Sequence, residues 1–245
     1  MSSTIPKTLP EATEQAKSAA QAALAAGQTL IQVEMAIPEL KHQPIAEQFL
    51  DIFESQQFKV FFPDAGAAAL ARRDWDNPDF VIRGLGELTA PVDADDDIYL
   101  VVNPSSIEVK EVESLCNQVT DQPVVLLNPS LEDVATIGIG YAGRQLRERF
   151  LSKIQTCYYL RPIDQAAVYR CYPGPWQLWR ETTPNEYEWV SDFPDRPSSE
   201  DIDRILYGSG SPSDSSEDVA NSGQSTGRKR GIFSELQQFI RALTQ

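Results

Sequence analysis

YLVVNPSSIEV at residues 99–109 and VVLLNPSLEDV at residues 124–134 decide the fold. In each, a short apolar run stops at Asn-Pro-Ser and passes into a helix-like segment, and KVFFPDAGAAAL at residues 59–70 makes the same handover at Pro63. Proline cannot donate to a strand ladder, so it marks the end of each run. Near-continuous apolar strands separated by helices are what a parallel sheet covered on both faces demands. The three junctions therefore predict strand ends lying side by side along one edge, where open α/β sheets place their ligands.

Upstream, Thr8 and Glu11 have capping-box spacing, Pro10 sits in the first turn and Gly27 follows an alanine-rich run, so residues 9–26 read as a helix. TLIQVEMAI (29–37) alternates as a strand, residues 44–56 carry Ile45, Phe49, Ile52 and Phe53 at helical spacing, and FKVFF (58–62) is a second strand. Residues 65–75 are helical by propensity and FVIRGL (80–85) reads as a strand. IYLVV (98–102) precedes a helix over 105–119 through Val109, Val112, Leu115 and Val119, then come VVLL (124–127) and a helix from about Gly143 to Lys153.

From residue 154 aromatic and β-branched runs dominate, with turns at Pro162, Pro173 and residues 183–186, which predicts antiparallel strands. A short helix at 199–206, introduced by Ser198 or Ser199, closes the domain. The expected fold is a single α/β domain over 1–207: a Rossmann-like, mostly parallel sheet flanked by helices, with C-terminal antiparallel strands. Residues 208–227 are Gly, Ser, Asp, Asn and Pro without apolar period and read as a flexible linker. Residues 228–245 then read as a basic amphipathic helix, with Arg228, Lys229 and Arg230 at its start and Ile232, Phe233, Leu236, Phe239, Ile240 and Leu243 on one stripe.

A length of 245 residues with 41% hydrophobic content suffices for one sizeable core. The net charge of -15 argues against a nucleic-acid binder, which needs a basic surface to release counterions. Three cysteines without a CxxC pair, no long apolar span and no signal-peptide pattern give the expectation of a soluble intracellular protein. A turn about Asp164 would bring Cys157 near Cys171, yet nothing marks either as a low-pKa nucleophile.

Candidate sites cluster at the strand-end edge. Asn103, Ser105, Asn128 and Ser130, with Gly138, Gly140 and Gly143 of GIGYAG (138–143), form a candidate ligand edge. GIGYAG matches G-x-G-x-x-G with Asp164 about twenty residues on, but no convincing strand directly precedes it, so a permissive turn is the simpler reading. The serines read most simply as helix N-caps, and Arg144, Arg147 and Arg149 as partners of neighbouring acids. Asp93, Asp95, Asp96 and Asp97 lack EF-hand spacing and read as a solvated turn. His42 is the only histidine and has no serine or cysteine motif near it, so no general base, metal site or cofactor is expected. Trp176, Trp179 and Trp189 read as core or edge aromatics, with an exposed pair suited to a partner surface. The terminal helix, at about fifteen residues, is marginal alone and should order only on a surface, whether anionic lipid, a partner groove or its own domain.

LPEATEQAKSAAQAAL (9–24), LIQVEMAIPEL (30–40), VVNPSS (101–106), VVLLNPSLED (124–133), GYAGRQLRERFLSKIQTCYYLRP (140–162) and YRCYPGPWQLW (169–179) together carry a resemblance. The chain resembles a domain family of cyanobacteria and chloroplasts that includes the plastid assembly factor called low photosystem II accumulation three and the C-terminal extension of a chloroplast adenylate kinase. The resemblance implies a non-enzymatic role in photosystem assembly or maintenance, with photosystem subunits or assembly factors as partners and a peripheral place on the cytoplasmic face of the thylakoid membrane. It brings no catalytic residues. The alternative is a nucleotide- or phosphate-binding enzyme or sensor using the strand-end loops.

Overall fold

Thr8 accepts a hydrogen bond from the Glu11 amide and opens α1 (Leu9–Ala25), while Glu11 reaches back to the Lys7 amide at 2.8 Å. Gly27, at φ +80°, ends the helix by letting the amides of Gly27 and Gln28 bond back to Leu24 and Ala23. The computed structural model describes residues 4–87, 92–132 and 141–208. The remaining elements run in the order β1 (Leu30–Met35), α2 (His42–Phe49), β2 (Phe58–Phe62), α3 (Ala65–Asp74), β3 (Val81–Gly84), β4 (Ile98–Val102), α4 (Val109–Gln118), β5 (Val124–Leu127), α5 (Tyr141–Arg149), β6 (Gln155–Ile163), β7 (Ala166–Cys171), β8 (Trp176–Thr183), β9 (Glu186–Phe193) and α6 (Ser199–Tyr207). The linker and terminal-helix assignments fall outside the described residues, apart from Gly208.

The nine strands of the described residues join one sheet in the order β3-β2-β4-β5-β1-β6-β7-β8-β9. Strands β1 to β6 pair in parallel and β6 to β9 form an antiparallel meander. The fold is therefore mixed α/β with C-terminal antiparallel strands, as the change of pattern at residue 154 predicts. The parallel order differs from the 3-2-1-4-5-6 of the dinucleotide-binding fold.

Each face has its own core. Ile31, Val33 and Met35 of β1 face α1, α2 and α3, whose contributions include Ala16, Ala20, Ala23, Phe49 and Ala71. The alanines of α1 leave no bulk between helix and sheet, so the helix lies directly over β1 and β6. On the opposite face α4 and α5 cover Phe61, Tyr99, Val101 and Leu126 through Val112, Leu115 and Leu146, each buried side chain contributing roughly 1.5–3 kcal/mol. A third cluster of Tyr159, Val168, Trp176 and Leu178 lies under Ile202, Ile205 and Leu206 of α6, which Ser198 and Asp201 open as a reciprocal capping box.

Local corrections have plain causes. The helix expected over 105–119 starts only at Val109, because residues 105–108 close a separate turn with the Glu108 amide on the Ser105 carbonyl. The helix expected over 44–56 becomes α2 and then a 3-10 turn over Leu50–Phe53. Pro162 lies inside β6 and not in a turn; β1 ends at Met35, so on that side β6 needs no amide at residue 162. The hairpin turns at Asp164 and Gln165 instead, with Gln165 at φ +55°.

Candidate functional site

Val102 pairs with Leu127, so the Asn-Pro-Ser strings leave β4 and β5 side by side. Asn103 and Asn128 both take left-handed backbone, at φ +51° and +50°, which asparagine tolerates better than other residues bearing a Cβ. The Asn103 amide bonds the Leu127 carbonyl and the Ser130 amide bonds the Pro104 carbonyl, so Ser105 and Ser130 still pair after the strands end. The structure thus brings Asn103, Ser105, Asn128 and Ser130 together. Gly143 lies on the buried side of α5, and Gly138 and Gly140 fall outside the described residues.

The side chains at this edge mostly hold the fold. Asn128 accepts the Met35 amide at 2.7 Å and lies 3.0 Å from Nδ1 of His42, so it ties β5 to the end of β1 and the start of α2. The role of His42 is illegible in sequence, because Asn128 is 86 residues away. Ser105 does not cap α4: its hydroxyl donates to Glu108 at 2.7 Å and its amide to the same carboxylate at 2.9 Å. That carboxylate disfavours an anion there.

Among the described residues, arginines expected to pair with acids do so at Arg149, with Glu113 through two bonds of 2.6 and 2.7 Å, and at Arg147, with Glu132 at 3.7 Å. The acidic loop is more than a solvated turn. Lys59, its side chain only 8% exposed, ends between Asp93 and Asp96, and Asp96 also accepts the Tyr99 hydroxyl at 2.8 Å. Burial opposes the ammonium charge, but the two carboxylates outweigh it and hold Lys59 above its usual range. Cys157 and Cys171 come close as expected, since Cys171 pairs with Tyr158 and the Tyr172 amide bonds the Cys157 carbonyl. Burial pushes the thiols of Cys116 and Cys157 up to about 12, so neither is a thiolate near neutral pH.

The outer hairpin and the polar face of β1 each present a surface to other molecules. On β8 and β9, Trp179 and Trp189 are direct cross-strand partners, with Trp189 51% exposed. Their indoles are held by one chain of bonds: Trp179 to Gln177 at 3.2 Å, Gln177 to Asp192 at 3.1 Å, and Trp189 to Asp192 at 2.8 Å. Across the sheet, Gln32 and Glu34 on the outer side of β1, Thr156 of β6, Ser130 and Arg196 line a cleft of about 470 Å³. Among the described residues no group of three metal-ligating side chains occurs, and no helix is long and apolar enough to cross a membrane.

These features define a mixed α/β domain with an aromatic outer hairpin and a polar cleft over β1. The chain belongs to the DUF1995 family, a domain of unknown function whose model matches residues 6–204. No solved structure matches it.

Proposed function

We propose that the chain is a non-enzymatic accessory protein of photosystem assembly or maintenance, with its Rossmann-like domain holding a protein partner and its basic C-terminal segment holding the membrane or that partner. The observation that carries the binding reading is the Trp179–Trp189 pair, in which Trp189 is half open to solvent while Trp179 packs against the core, both indoles fixed through Gln177 and Asp192. An exposed aromatic held in one orientation loses little entropy on docking, which is why Trp dominates binding hot spots. Asp192, which accepts the Trp189 indole and the Gln177 amide, places a carboxylate beside the pair and suits a basic partner. The photosynthetic setting rests on the family resemblance in the sequence. A cytoplasmic position at the thylakoid surface rests on residues 228–245, whose binding to anionic vesicles should weaken as salt rises.

The alternative, a phosphate or nucleotide site at the strand-end loops, finds less support, since Glu108 occupies Ser105 and Asn128 is committed to Met35 and His42. The test is purification of the tagged full chain from gently solubilised cells, with co-purifying proteins identified by mass spectrometry. Photosystem subunits or assembly factors should accompany it and disappear with Trp189→Ala. Recovery of a lone protein, or of partners indifferent to Trp189, would reject the proposal.

A further inference from the structure

Glu34 faces away from the apolar core of β1, because Ile31, Val33 and Met35 take the other side. Its side chain is only 21% exposed, and the nearest cation among the described residues, Nη1 of Arg196, stands 4.0 Å from Oε2, too far for a hydrogen bond. Arg196 is already engaged elsewhere. Its Nη2 donates to the Tyr159 hydroxyl, and its guanidinium lies 4.4 Å from the centre of the Tyr159 ring.

The carboxylate is therefore buried and poorly compensated. Burial pushes its pKa up, and Arg196 and then Arg161 pull it back only in part. A carboxyl whose folded pKa lies above its unfolded one stabilises the fold only at low pH, and that contribution is lost as pH rises through the folded value. At neutral pH Glu34 thus weakens the unliganded protein, although the isosteric glutamine would avoid the loss. Residues that cost stability without an internal partner commonly serve a ligand.

The rest of the wall states which ligand. Gln32 donates its amide to Thr156 Oγ1 at 2.8 Å, leaving its carbonyl oxygen as an acceptor, and Glu132 adds a second carboxylate. Glu132 is shared with Arg147, and Arg196 is the cation on the wall, so two carboxylates face one guanidinium that Tyr159 already holds, a balance that favours a donor-rich cation. Leu131, Leu151 and Ile154 supply an apolar flank, and about 470 Å³ accommodates a small molecule. We infer that this cleft binds a small free primary amine with an aliphatic stem, its ammonium on Glu34 and its stem against Leu151 and Ile154. The inference is independent of the partner surface on β8 and β9.

The test uses the full chain with n-butylamine and, as a probe of equal length and opposite charge, n-butyrate. Calorimetric titration and thermal unfolding should show millimolar binding and stabilisation by the amine and none by butyrate. Glu34→Gln should raise the unliganded midpoint and weaken the amine by about tenfold or more, the loss expected for a charge-assisted bond. Ser130→Phe, at an exposed position on the rim, should block the amine while leaving Glu34 in place. Equal responses to both probes, unchanged amine binding in Glu34→Gln, no response at all, or binding of N-acetyl-lysine amide but not of butylamine would each overturn the inference.

Discussion

Asn128 donates its side-chain amide to Nδ1 of His42 across 3.0 Å, and its carbonyl oxygen accepts the Met35 amide at 2.7 Å. The second bond fixes the amide orientation, so Nδ1 must be the acceptor and the neutral His42 ring carries its proton on Nε2. One side chain thus joins two strand ends and a helix start. Asn128→Ala should cost about 2–3 kcal/mol, because it strands a buried backbone donor and loses a residue suited to left-handed backbone. Urea unfolding measures this directly. A loss below about 0.5 kcal/mol, the range of ordinary surface changes, would show that the amide finds another partner.

The same contact makes stability depend on pH. Burial lowers the His42 pKa from 6.5, and a protonated ring would turn two donors toward each other. The unfolded chain then binds the proton more readily, so the stabilisation is complete above about 6.5 and is lost as pH falls toward the folded value. Glu34 acts in the opposite sense, which makes comparison with a variant necessary. The difference in unfolding free energy between the parent and His42→Gln should shrink on going from pH 7.5 to 5.5. A pH-independent difference would contradict the lowering of the His42 pKa by burial.

Lys59 is a buried charge with a definite partner set. Lys59→Met removes the cation while leaving Asp96, only 10% exposed at its side chain, beside the Tyr99 hydroxyl. Because Asp93 is 63% exposed and water can reach it, the expected loss is roughly 2–3 kcal/mol, below the usual 3–5 for a fully buried pair. Asp93→Asn should lose less than Asp96→Asn. Equal losses from the two aspartates would contradict the burial difference.

Gly84 tests the close approach of β3 to the β2–α3 junction. A Cβ there would sit 2.6 Å from the backbone of both Asp64 and Ala65, the residues that open α3. Gly84→Ala should therefore destabilise by about 1–3 kcal/mol or more, although alanine has the better backbone entropy. Gly86→Ala meets nothing within 4 Å and is the matched control. Similar midpoints for the two variants would refute the close packing.

In the parallel half β2, β4 and β5 were legible because they are buried on both faces and read as unbroken apolar runs ended by proline or asparagine, whereas β1 was legible by its alternation. The change to antiparallel strands was equally visible, since one-sided burial brings alternation and aromatics. Strand order was not: nothing local places β1 between β5 and β6, because that pairing is carried by backbone bonds between residues about a hundred apart. The helix boundary at Val109 was missed because Ser105 and Glu108 have capping-box spacing and close a turn one step early. Of the site residues, Asn103, Ser105, Asn128 and Ser130 were found by their repeat. His42, Lys59, Glu34 and Arg196 were not, since each acquires its role from distant residues and Glu34 reads in sequence as the polar side of a strand.

The most direct measurement of the central claim is co-purification of the tagged full chain, the Trp189→Ala variant and a chain lacking residues 228–245 from gently solubilised cells. The account predicts photosystem subunits or assembly factors with the full chain, their loss with Trp189→Ala at unchanged thermal midpoint, and reduced recovery from the membrane fraction without residues 228–245. The same partners with all three chains, or none with any, would contradict it.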